Sequence, residues 1–86
     1  MITLVFLGKL ADLAGRAECE CALTSGAINW PDLLALMEDH LNTAIAEAAL
    51  ADRTKLALNG AVLADKTALI ARDGDEIALL PPVSGG

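Results

Sequence analysis

The chain has 86 residues, 55% of them hydrophobic and many of those alanine, with a formal net charge of −6. That length gives one domain with a single modest core, too small to enclose a sizeable enzyme cavity. The acidic balance argues against nucleic acid, whose phosphates call for Lys and Arg, and Phe6 and Trp30 are too few aromatics for a base-stacking platform.

Met1–Leu7 reads as a strand, with Ile2, Leu4 and Phe6 on one face and Thr3, Val5 and Leu7 on the other. Gly8 breaks it. Lys9–Ala14 supports a short helix, ended by Gly15 as a left-handed cap. Arg16–Leu23 alternates, placing Ala17, Cys19, Cys21 and Leu23 on one face, and predicts a half-buried strand antiparallel to the first. Thr24–Asn29 is expected to be loop. Asn29 then caps the main helix, Trp30–His40, with Pro31 and Asp32 in the first turn. Trp30, Leu33, Leu34, Met37 and Leu41 form its apolar stripe. His40 complements the dipole in the last turn and has no evident ligand partner.

Asn42–Asp52 is alanine-rich and reads as a short second helix or an irregular excursion, weakly anchored at Ile45, Ala48, Ala49 and Leu50. Lys55–Leu58 is a strand, Asn59-Gly60 a tight turn, and Ala61–Leu63 extended again. Asp65–Ile70 is expected to be a loop with a short helical turn. Arg72-Asp73-Gly74-Asp75 is a turn, and Glu76–Leu80 is the last strand. The two N-terminal strands and the last strand, being the most apolar, are expected mid-sheet. One sheet on one principal helix is an α+β arrangement.

Cys19 and Cys21 share a strand face at i, i+2, where a bridge between them would be strained, so buried reduced thiols and no metal site are expected. The longest uncharged stretch, Cys21–Pro31, contains Thr, Ser, Gly, Asn and Pro and cannot be a membrane span. Met1–Leu7 lacks a basic leader and a cleavage site, so a cytoplasmic location is expected.

The closing residues are the most informative. They divide the chain into a domain, 1–80, and a tail, 81–86, of sequence Pro81-Pro82-Val83-Ser84-Gly85-Gly86. Two adjacent prolines fix φ and remove two backbone donors, so the last strand must stop there. Beyond them the two glycines make a thread thin enough to carry a carboxylate into a narrow slot. Alternation places Leu7 opposite Phe6 and Leu80 opposite Leu79. Together with Val62 they are expected to form an exposed apolar patch beside the root of the tail, the mark of a partner interface. No Ser/His/Asp or Cys/His set capable of catalysis is present in the pattern.

Leu56-Ala57-Leu58-Asn59-Gly60, and above all the run from Asp73-Gly74-Asp75-Glu76 through Pro81-Pro82 to Gly85-Gly86, resembles the small-subunit family of molybdopterin synthases, which are ubiquitin-like sulfur carriers. The resemblance implies a β-grasp fold, a mixed sheet packed on the main helix. It further implies that an activating enzyme uses ATP to adenylate the carboxylate of Gly86, and that a sulfur donor converts it to a thiocarboxylate. The carrier would then thread Pro81, Pro82, Val83, Ser84 and Gly85 into the large synthase subunit, in a heterotetramer, and pass sulfur to a pterin precursor. No bound cofactor and no catalytic side chain is implied. Two departures stand out. The 42–53 region matches nothing distinctive, and the patch positions Leu7, Val62 and Leu80 are aliphatic where some family members carry aromatics. The alternatives are a sulfur carrier serving thiamine or another sulfur-transfer pathway, and a modifier conjugated to lysines.

Overall fold

A computed structural model describes residues 1–82. In chain order the elements are β1 (Ile2–Phe6), α1 (Lys9–Ala14), β2 (Glu18–Cys21), β3 (Ala27–Asn29), α2 (Trp30–His40), α3 (Thr43–Leu50), β4 (Lys55–Leu58), β5 (Ala61–Val62), a 3-10 turn (Lys66–Ala68), β6 (Ile70–Arg72) and β7 (Glu76–Leu80). Five strands form one sheet in the order β2-β1-β7-β4-β5, and β3 pairs with β6 in a separate ribbon. β1 and β7 run parallel at the centre, Leu4 opposite Ile77 and Phe6 opposite Leu79. All other pairings are antiparallel. The last strand is therefore held on both edges, by β1 and by β4, up to the point where Pro81 ends it.

One face of the sheet is the core. Ile2, Leu4 and Phe6 of β1, Leu56 of β4, and Ile77 and Leu79 of β7 are buried there, against Trp30, Leu33 and Met37 of α2 and Ile45 and Ala49 of α3. The starts of α2 and α3 are each set by an asparagine cap. The Asn29 Oδ1 accepts the Asp32 N–H at 3.0 Å, with Pro31 in the first turn, and the Asn42 Oδ1 accepts the Ile45 N–H at 2.8 Å. Asn42 acts twice: its Nδ2 donates to the Leu13 carbonyl at 2.8 Å and ties the end of α1 to the start of α3.

The Asn59-Gly60 turn has both residues at positive φ, 50° and 86°, as a two-residue hairpin requires. The Asn59 side chain reaches the start of β7, where its Oδ1 accepts the Glu76 N–H at 2.9 Å and its Nδ2 donates to the Asp75 carboxylate at 3.0 Å. Asp75 also accepts the Arg72 N–H at 2.9 Å, which closes the turn between β6 and β7.

Three expectations are corrected, and one left open between helix and irregular chain resolves to helix, without the expected Leu50 anchor. Residues 27–29 and 70–72, read as loop and turn, are the ribbon β3–β6. Each strand buries a single residue, Ile28 or Ala71, so there is too little alternation to reveal it. β2 is an edge strand rather than a mid-sheet one, and its outward side chains are Glu18 and Glu20. Leu34, at the margin of the α2 stripe, is half-buried rather than in the core. The alanine-rich segment is a regular helix that packs through Ile45, Ala46 and Ala49, and leaves Leu50 exposed. Small side chains let α3 lie close against its neighbours without a broad apolar stripe. Among the described residues no helix is long and apolar enough to cross a membrane.

Candidate functional site at the root of the tail

The outward-facing positions of the sheet follow from strand alternation. Val5 lies beside Ala78, Ala78 beside Ala57, and Ala57 beside Val62, giving an apolar row across four strands. At the β2 edge the row ends at Glu18, the partner of Val5. One step toward the tail, Leu80 pairs with Lys55, and Leu7 follows Phe6 on the other side of β7. Leu7 is 41% exposed and Val62 61%, values that leave both side chains open to a partner, while Leu80 is half-buried. Single exposed aliphatics are ordinary on a protein surface; here Val62 ends an apolar row whose Ala57 is buried, and Leu7 and Leu80 lie one step beyond it.

Beside this row an open groove of about 660 Å³ is lined by Asp52, Arg53, Lys55, Val62, Leu80, Pro81 and Pro82. The structure thus brings Val62 and Leu80 together with both prolines. Leu7, just past the end of β1, lies across β7 and does not line the groove. Val83, Ser84, Gly85 and Gly86 fall outside the described residues.

Sequence reasoning missed the polar wall of the groove. Lys55 was readable, since it shares the strand face of Ala57 by alternation. Arg53 was not, because it lies between α3 and β4 in a stretch without periodicity. The connection is held from behind by Lys66, whose Nζ donates to the Ala51 carbonyl and, at 2.9 Å, to the Thr54 carbonyl. The same ammonium stands 5.7 Å from the centre of the Trp30 ring. Desolvation lowers the pKa of Lys66, yet the charge is matched by two carbonyls and an aromatic face. Gly8 was also missed: it lies against the Pro81 ring, a contact between residues far apart in the chain.

Among the described residues, the titratable groups supply no catalytic set around the groove. Cys19 and Cys21 are free thiols with their sulfurs 3.8 Å apart. Burial, with Cys21 beside it, pushes the Cys19 thiol up to about 11, so it stays protonated and a poor nucleophile at neutral pH. Among the described residues no three His, Cys, Asp or Glu side chains are grouped to hold a metal ion. His40 is exposed at the end of α2. What the arrangement offers is an apolar landing surface, a groove with cationic side chains on its wall, and a strand that delivers the chain to its edge.

A profile of the ThiS family matches residues 4–86. No match was found among curated proteins. Among solved structures, the chain is similar to SAMP1 from Haloferax volcanii, at 27% identity over 99% of this chain and 98% of that one, with a TM-score of 0.71. It is also similar to small archaeal modifier protein 1 from Methanosarcina acetivorans, at 21% identity, 99% and 95% coverage and a TM-score of 0.74. A molybdopterin converting factor subunit 1 from Pyrococcus furiosus matches at 22% identity, 95% and 97% coverage and a TM-score of 0.74. The last two bear on the fold alone, which is the α+β, ubiquitin-like β-grasp expected from the sequence.

Proposed function

From the premise that this chain belongs to the ThiS family of ubiquitin-like sulfur carriers, we propose that it is the sulfur-donating small subunit of a molybdopterin synthase, working in the cytoplasm. The observation that carries this reading is the continuity of the apolar outer row with the groove and the proline exit: Val62 and Leu80 line the same wall as Pro81 and Pro82. A large subunit that covers the row receives the tail in the same act of docking. In this reading an activating enzyme uses ATP to adenylate the Gly86 carboxylate. A sulfur donor displaces AMP to leave the thiocarboxylate, and the sulfur passes to a pterin precursor in the large subunit. The domain binds no cofactor and contributes no acid, base or nucleophile of its own. It presents the terminal carbonyl carbon, and the glycines at 85 and 86 keep the thread narrow.

The test uses the full chain with activating enzyme, ATP and sulfur donor, read by intact mass and by pterin conversion. The wild type should gain the mass of one oxygen exchanged for sulfur. Deleting Gly86 should leave Tm unchanged, since a terminal residue adds almost nothing to packing. The same deletion should abolish conversion, because misplacing the acyl carbon by even ~1 Å can cost about 10²-fold. Gly86→Ala keeps the length and adds one methyl group, so it isolates width. Full activity of the deletion variant would end the carrier reading; full activity of Gly86→Ala would remove only the claim about width.

A second reading is favoured by the full-length similarity to SAMP1, described in relatives as a modifier protein. In that case the activated Gly86 carboxyl is transferred to lysine amines, and high-mass lysine adducts appear in place of the sulfurated intact chain. A carrier for thiamine or another sulfur-transfer pathway shares the tail chemistry and differs in which large partner is bound.

A further inference from the structure

Gly8 is unlike the other described glycines at positive φ. A methyl group built at Gly15, Gly60 or Gly74 would meet nothing within 4 Å, and at Gly26 it would meet only the Asp73 carboxylate, at 3.5 Å. At Gly8 it would stand 3.3 Å from Cγ of Pro81. The backbone there has φ 55° and ψ −131°, a mirror-image extended conformation that glycine alone adopts readily. Gly8 also occupies the N-cap position of α1 and offers no capping side chain, where Ser, Thr, Asp or Asn would bond a free N–H. The position gives up that bond and keeps a bare Cα facing the proline.

The place matters as much as the contact. The ladder between β1 and β7 runs up to it, the Leu7 N–H donating to the Leu79 carbonyl at 3.2 Å. Gly8 therefore flanks the point at which β7 ends at Pro81. Resting on the sulfur-carrier reading, we infer that Gly8 is a positioning residue for the chemistry at the tail: its bare Cα is the seat of the Pro81 ring, and the contact sets the direction in which the chain leaves the sheet. Two successive prolines, each with φ fixed, carry a direction set at Pro81 onward through Pro82. Gly8 touches no reacting atom and acts only through this contact.

The experiment compares Gly8→Ala with Gly15→Ala, a second positive-φ position (81°, in the left-handed helical region) where a methyl group meets open space. Adenylation and sulfuration of the full chain are measured as kcat and KM, alongside Tm. Strain alone depletes folded substrate, which raises apparent KM at unchanged kcat. A misdirected tail lowers kcat. Both variants should lose Tm, and only Gly8→Ala should lose kcat, by about tenfold or more. Pro81→Ala removes most of the ring from the seat, so in that background Gly8→Ala should cost little further kcat. Equal kcat in the two single variants, or the full Gly8→Ala loss added on top of Pro81→Ala, overturns the inference. Should Gly8→Ala fail to fold, Pro81→Ala alone empties the seat from the other side, and an unchanged kcat there overturns it as well. A wild-type chain that is neither adenylated nor sulfurated overturns the carrier reading itself, a result separate from any difference between variants.

Discussion

The inner and outer faces of the five-stranded sheet come from the same strands by alternation, and they differ in what they leave open. On β7 the inner residues Ile77 and Leu79 are wholly buried, while the outer residues Ala78 and Leu80 are half-buried. On β1 the inner Leu4 and Phe6 are buried, and Leu7, just past its end on the outer side, is 41% exposed. The inner face is closed by helices, whereas along the outer row Ala57 is buried, Val5 and Ala78 are half-buried and Val62 is exposed. One parity of residues holds the domain together, and the other is left for contact with something else. A substitution at position 79 should therefore be read in stability, and one at position 80 in binding.

Breaking the inner face should have the largest effect. Phe6→Ala or Leu79→Ala removes a fully buried side chain from between sheet and helices, and should cost about 3–5 kcal/mol in urea or thermal unfolding. That is a large part of the total for a domain of this size. Leu34→Ala, at the half-buried margin of α2, should cost clearly less. Equal losses at Phe6 and Leu34 would mean that the core is centred elsewhere.

Leu80→Asp sharpens the comparison from the other side. The side chain lies on the groove wall with Val62 and the two prolines. A carboxylate there should weaken association with the proposed synthase large subunit by about 2 kcal/mol or more, roughly 30-fold. The Tm should change little. Affinity measured by titration calorimetry would decide it, and unchanged affinity would remove the groove from the interface. Val62→Asp should act in the same direction, since that side chain shares the wall and is more exposed.

Much of this division was legible in the sequence, for identifiable reasons. β1 alternates over its whole length, Asn29 and Pro31 mark the start of α2, and the two prolines mark the end of β7. Alternation alone placed Leu7 and Leu80 on the outer side, and Val62 was expected to join them. The features that escaped are made by contacts between distant residues. The ribbon β3–β6 joins two three-residue segments with one buried side chain each. The edge position of β2 depends on β7 crossing to pair with β1. The cationic groove wall depends on Lys66 fastening the segment that carries Arg53. No local pattern encodes any of these, nor the seating of Pro81 on Gly8.

The smallest expected effect lies at the end of the sheet where β7 begins, and it tests whether that end is fastened electrostatically. Asp75 accepts hydrogen bonds from the Asn59 side chain and the Arg72 N–H, and these hold its carboxyl below the ordinary value of 3.8. A carboxyl with a depressed folded pKa contributes stability that is fully present above its unfolded pKa and is lost as pH falls through the folded one. The domain should thus be most stable near neutral pH and weaken below about pH 4. Asp65 adds to the same acid limb, because the Thr67 hydroxyl and N–H both donate to its carboxylate and lower its pKa too. Asp75→Asn keeps an oxygen for the Arg72 N–H but does not titrate. Urea midpoints compared at neutral pH and at about pH 3 should therefore show a smaller acid-induced drop for the variant, with a residue of the drop left by Asp65. Asp65 is exposed and Asp75 only half-buried, so salt and water keep the effect modest. Identical drops in the two proteins would show that the hydrogen bonds of Asp75 order the turn without making its stability depend on charge.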